Sequence, residues 1–181
     1  SIQLRTGSGG SVGMSVGISS AGDGGDASVI AGSTVAGDAK GGSVQVYSGS
    51  SDSGTGGSLE ALAGSSYHRS GGKVLAKGGS SHSRDGGSVV FESGSSDDEH
   101  GGKLEIKSGS GNTAAGDIEM SVGDHRNLYH GAGAAFTLKG GESKHSLGGI
   151  VDVRAGDGVA GGAVWFQGGE GTTGTGGDVS L

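Results

Sequence analysis

The side chains able to do chemistry in this chain gather in short Ser/Gly-rich stretches. All six histidines, His68, His82, His100, His125, His130 and His145, fall there. His68, His82 and His100 stand near Asp85, Asp97, Asp98 and Glu99, nitrogen and oxygen donors of the kind that hold a transition metal. A metal site holds its ligands at fixed positions, whereas these shift from one stretch to the next, so they read as solvated surface and no metal is assigned. The Gly/Asp runs Ala21–Asp26 and Ala155–Gly158 invite a calcium reading, but the nine-residue GGxGxD period is missing and most stretches carry no aspartate there. No GxxxxGK[ST] occurs and no strand-then-helix pattern frames the glycines, which excludes a phosphate-cradling loop. Ser, His and Asp coexist throughout without a nucleophile elbow, so no catalytic residue and no cofactor are assigned.

The composition sets what can position such residues. The chain has 181 residues with 46 glycines, no proline, no cysteine and 30% hydrophobic content. Poor apolar content with abundant Gly and Ser ordinarily means disorder, since too little surface can be buried to offset the ordering entropy. Here the apolar residues recur in fixed columns, and the lack of proline leaves every N–H free for a backbone ladder. A net charge of −7 offers no basic footprint, so nucleic acid is excluded as a partner. No apolar run reaches the length of a membrane span, and no thiol informs on redox compartment.

Aligning the chain on the glycine after each apolar alternation divides it into units 1–10, 11–25, 26–42, 43–57, 58–72, 73–87, 88–102, 103–116, 117–134, 135–149, 150–162, 163–177 and a stub 178–181, seven of them 15 residues long. The second and fourth positions of every unit are apolar, from Ile2 and Leu4 to Val179 and Leu181, 26 residues without exception. A spacing of two with β-branched and aromatic enrichment predicts strands with one buried face and no helix. The expected core columns are represented by Val44, Val46, Val89, Phe91, Leu104, Ile106, Val164 and Phe166. Position seven is glycine in every complete unit, including Gly49, Gly64, Gly79, Gly94 and Gly109, and is expected to turn the chain through positive φ. A closing pair such as Gly56 and Gly57 marks a second corner.

Strand, corner, polar arm and corner predict an all-β fold, a parallel β-solenoid of about 15-residue coils forming one repeat domain over residues 1–181. The alternatives are 30-residue two-sheet coils, which would face two apolar columns against each other, or a stacked β-sandwich. Lys77, Glu92 and Lys107 alternate in sign at position five, a pairing expected of neighbours in successive 15-residue coils. The stretch Asp124–His130 lengthens unit 117–134 and is expected to bulge from the polar arm.

On this alternation Ile30, Tyr47, Leu62, Leu75, Val90 and Trp165 point outward, a possible contact face for a partner. Both termini lie in strand phase without a polar cap, and the chain starts with Ser1. The expectation is therefore either further coils in a longer, processed parent chain or end-to-end self-association.

The units GGSVQVYSGSSDSGTGG, GGSVVFESGSSDDEHGG and GGDVSL resemble a class of Gly/Ser-rich repeat proteins with GGSVSLSSG-like units, found in secreted or surface proteins of algae and oomycetes. The resemblance covers the whole chain and implies an extracellular or cell-surface structural or adhesive setting, with no catalytic residues to carry over. Asn112 and Asn127 lie outside any N-x-[ST] sequon, so glycans would be O-linked on the Ser/Thr-rich arms. The expected function is that of a structural, non-catalytic β-repeat protein of an extracellular filament, sheath or adhesive appendage. The alternative is a solenoid that binds ice, carbohydrate or mineral surfaces. A regular uncharged column would suit ice, and Gln3, Glu60, Lys77, Glu105, Lys107, Asp152 and Arg154 interrupt it.

Overall fold

The computed structural model of the chain describes residues 2–125 and 132–181. Of the stretch expected to bulge, Arg126 to His130 lie outside the described residues. Two units are distinguished, Ser1–Phe91 and Glu92–Leu181.

The recurring local structure is a pinned arm. In ten units the N–H of the closing glycine donates to the carbonyl of the position-seven glycine: Gly10 to Gly7 at 3.0 Å, Gly42 to Gly32, Gly57 to Gly49, Gly72 to Gly64, Gly87 to Gly79, Gly102 to Gly94, Gly149 to Gly141 and Gly177 to Gly169 at 2.8 Å, and Gly116 to Gly109 and Gly162 to Gly156 at 2.9 Å. The donor and acceptor are eight residues apart in six of these arms, and three, six, seven or ten apart in the others. Those departures match the lengths of units 1–10, 150–162, 103–116 and 26–42 against the 15-residue standard, so in these ten units the neck is constant and the arm absorbs the insertion or deletion.

The neck is also where the chain packs most closely. Among the described residues the least exposed are Ala31, Gly78, Gly140, Ala155 and Gly168, half-buried and all at position six. Where position six is Ser or Ala, its Cβ faces the closing glycine, as Ala63 faces Gly72, where an added Cβ would sit 3.3 Å away. Where position six is glycine, the closing carbonyl moves in: a Cβ on Gly78 would meet the Gly87 oxygen at 2.2 Å, and one on Gly168 the Gly177 oxygen at 1.9 Å.

Between necks run the apolar alternations. Lys103 Nζ donates to Glu105 Oε2 at 2.6 Å, Lys107 pairs with the other carboxylate oxygen, and Arg154 Nε donates to Asp152 Oδ1 at 2.8 Å. Partners two residues apart share a face only in extended chain, so period two survives in the backbone.

The expected β-solenoid is not formed. Among the described residues there is no helix and no strand, which rules out the 15-residue coil and equally the two-sheet coil and the sandwich. A strand is defined by a hydrogen-bonded neighbour as much as by its side-chain period. Closing a coil would need the arm to run across as an opposite wall. Instead the arm returns to its own neck, and the extended segments are left without a ladder. The neighbouring-coil pairing expected of Lys77, Glu92 and Lys107 is replaced by a pairing within one segment, Lys107 with Glu105.

The columns accordingly build no core. No described residue is buried, and Val44, Val46, Val89, Phe91, Leu104, Ile106, Val164 and Phe166 are all exposed. The total accessible surface is 18629 Å². A folded monomer of 17.2 kDa exposes roughly 7,800 Å² and its extended chain about 25,000 Å². The chain alone thus buries about a quarter of its extended surface, against about 70% for an ordinary domain of this size.

The corner glycines behave differently from expectation as well. Gly49, Gly64, Gly79, Gly94 and Gly109 do not have positive φ, and a Cβ on any of them would meet nothing within 4 Å. Their role is that of neck acceptor, and the steric demand for glycine falls on the closing residue and, where position six is glycine, on that residue as well. The described residue with positive φ is Gly9, at 71°, in the shortest arm, where it suits the third residue of a type II turn from Gly7 to Gly10.

Candidate functional site: arm tips and exposed apolar columns

Each arm carries its chemistry at its tip. Position nine sets the tip's conformation through one of two residue types. In five arms it is serine whose Oγ accepts the N–H three residues on: Ser51 from Gly54 at 2.9 Å, and Ser66 from Arg69, Ser81 from Arg84, Ser96 from Glu99 and Ser143 from Ser146 at 3.0 Å. Thr34 Oγ1 at position nine of a sixth arm accepts the N–H of Ala36, two residues on, at 3.2 Å. Hydroxyl-to-backbone bonds of this kind satisfy a turn's donor locally and hold the bend without a helix.

In other arms position nine is glycine, and the tip folds tighter. A Cβ on Gly111 would lie 2.2 Å from the Ala114 oxygen, and one on Gly171 2.3 Å from the Gly174 oxygen. Position nine does not stand out in the sequence because its serines sit in serine-rich surroundings. In the aligned units that position is a hydroxyl residue or glycine in eleven of the twelve complete units.

The capped bend presents positions ten to thirteen. These are Tyr67, His68 and Arg69 in one arm, His82, Ser83, Arg84 and Asp85 in the next, then Asp97, Asp98, Glu99 and His100, and later Lys144 and His145. Tyr67 and His68 meet edge to face with ring centroids 5.1 Å apart. The residues weighed as metal donors are thus spread over three tips, His68 at one, His82 and Asp85 at the next, and Asp97, Asp98, Glu99 and His100 at the third, and among the described residues no three His, Asp or Glu side chains form a group that could hold a metal ion. His130 lies outside the described residues.

The apolar alternations form the second surface. Ile30, Tyr47, Leu62, Leu75, Val90 and Trp165 are exposed, the last five more so than the second-position residue of their unit: Trp165 is 88% accessible and Val164 43%. The two faces of an extended segment therefore differ in character. Positions two and four are uniformly apolar, while positions one, three and five carry the ion pairs of Glu105 and Asp152. The hydrogen bond from Lys103, and then that from Lys107, hold the Glu105 carboxyl below the usual glutamate range. No described helix is long and apolar enough to cross a membrane.

No family model matches the chain, and comparison with curated proteins and with solved structures finds no match either.

Proposed function

We propose that the chain is a structural, non-catalytic protein of an extracellular or cell-surface filament, sheath or adhesive appendage, in which many copies associate. The observation that carries this reading is the absence of any buried side chain among the described residues, in a chain whose 26 column positions are all apolar. A sequence that repeats an apolar face this faithfully but cannot cover it within one chain gains its order when copies cover one another. The groups with acid–base capacity on the arm tips are exposed, an arrangement suited to display. The resemblance to Gly/Ser-rich surface proteins agrees with an extracellular setting, and the Ser/Thr of the arms are open to O-glycans.

The experiment is sedimentation and electron microscopy of the purified chain over a range of concentrations. Filaments or sheets that grow with concentration are expected, and Val46→Asp is expected to abolish them by placing a charge in the apolar column. A species that stays monomeric at every concentration would sink the reading.

A second reading is favoured by the repeated Ser-capped bends, which hold polar groups in one conformation at successive tips. Such a series suits binding to a carbohydrate or mineral surface. Retention of the monomer on those solids, lost when Arg69 and Arg84 are replaced by alanine, would favour it.

A further inference from the structure

Given self-association, on which this inference rests, we infer that copies of this chain join through the face formed by positions two and four, with a second copy of the same chain as the occupant. The face of positions one, three and five and the arm tips stay in solvent.

Three observations select that face and that occupant. The first is area. The chain exposes about 10,800 Å² more than a folded monomer of its mass, over ten times the roughly 800 Å² that each partner contributes to a stable interface. A small ligand cannot cover a deficit of that size, whereas a repeated surface laid on its own kind can.

The second is the difference between faces. Positions two and four hold no polar side chain in any unit. The opposite face mixes exposed apolar residues such as Tyr47, Leu62 and Trp165 with charge: Lys103, Glu105 and Lys107 form one connected ion pair set and Asp152 with Arg154 another, already satisfied within the segment. Burying the second face would desolvate those charges without offering them new partners, while burying the first removes only apolar surface from water.

The third is that the arms are not free to act as a cover. Ten necks pin them to their own origin, and length changes are taken up in the arm without altering the neck. The columns therefore lie open between necks at a repeat that a second copy reproduces.

Because the chain contains no cysteine, one introduced thiol reports its own position without ambiguity. The test compares Val46→Cys with Gln45→Cys, adjacent residues on opposite faces, each probed with a thiol-reactive dye in the dilute monomer and in the pelleted assembly. The expected result is equal reactivity in the monomer, with the thiol of Val46→Cys slowed about tenfold or more on assembly and that of Gln45→Cys changed by less than about twofold. Assembly that protects Gln45→Cys instead, or both equally, overturns this inference and leaves self-association standing. A monomer in which Val46→Cys is already protected overturns it too, because the column is then covered within one chain. Failure of both variants and of the unsubstituted chain to assemble overturns the inference together with the reading beneath it. The paired variants Ile106→Cys and Glu105→Cys repeat the comparison in case substitution at one unit blocks assembly.

Discussion

Gly78 and Gly79 are neighbours, both glycine, and substituting each with alanine should give opposite results. A Cβ on Gly78 would lie 2.2 Å from the Gly87 carbonyl oxygen and 2.9 Å from its carbon, both backbone atoms that cannot rotate away. An ordinary carbon–oxygen approach is about 3.4 Å, so the neck must open by roughly 1 Å. That takes the Gly87 N–H, which donates to Gly79 O at 2.8 Å, beyond hydrogen-bonding distance. A bond of this type is worth about 1 kcal/mol net, or about fivefold in the closed-to-open ratio of the neck. At Gly79 the added Cβ meets nothing within 4 Å and φ is not positive, so alanine there only restricts the open ensemble, worth about 0.4–1 kcal/mol in favour of closure. The assay is amide exchange at Gly87 by NMR. Gly78→Ala should reduce protection about fivefold, to the level of an unstructured amide, and Gly79→Ala should raise it about twofold to fivefold. Equal effects of the two substitutions would refute the neck as the ordering element.

Other consequences follow from the arms and their charges. Ser96→Ala removes the acceptor of the Glu99 N–H and should cost that tip about 1 kcal/mol, seen as faster exchange at Glu99 alone, whereas Gly171→Ser should disrupt its arm because the Gly174 oxygen occupies the space of a Cβ. The Glu105 carboxyl should titrate below the ordinary glutamate range, and Lys103→Ala should raise its midpoint more than Lys107→Ala does. Since its pKa is lowered in the ordered segment, the ion pair set favours order above the ordinary glutamate range and is lost as pH falls through the lowered value, a change that NMR of the Glu105 side chain follows directly. Added salt should promote association, because copies of net charge −7 repel and the joining face is apolar, so light scattering should rise with sodium chloride.

Much of the local design was legible in the sequence because it is carried by residue spacing. The glycines at position seven and at the close of each unit mark the two ends of an arm, read from spacing as corners and joined in the structure as a neck, and the extended segments that hold Lys103 beside Glu105 and Asp152 beside Arg154 follow from period two. Two things were not legible. Alternation at Val44 and Val46 reports that one face is apolar and is silent on what covers it, so a solenoid was expected where the segments have no ladder. Glycine at Gly49 or Gly64 suggested positive φ, yet the steric need lies across the neck at Gly57 and Gly72, where an added Cβ would press on the Gly49 and Gly64 nitrogens at 3.2 and 3.3 Å. Which member of a glycine pair carries the constraint depends on the direction of one hydrogen bond, and composition does not encode that.

One copy contains pinned arms and no buried core among its described residues, and we propose that its order comes from association. Hydrogen exchange read by mass spectrometry, on the dilute monomer and on the assembly from the same preparation, tests it most directly. A domain with its own core, stable by about 5 kcal/mol, protects its slowest amides several thousandfold. Here the monomer is expected to show protection of no more than about tenfold, confined to closing glycines such as Gly57, Gly72 and Gly87, with strong protection of the segments between necks appearing only on assembly. Thousandfold protection of Val44 to Ser48 in a chain that sediments as a monomer would contradict it.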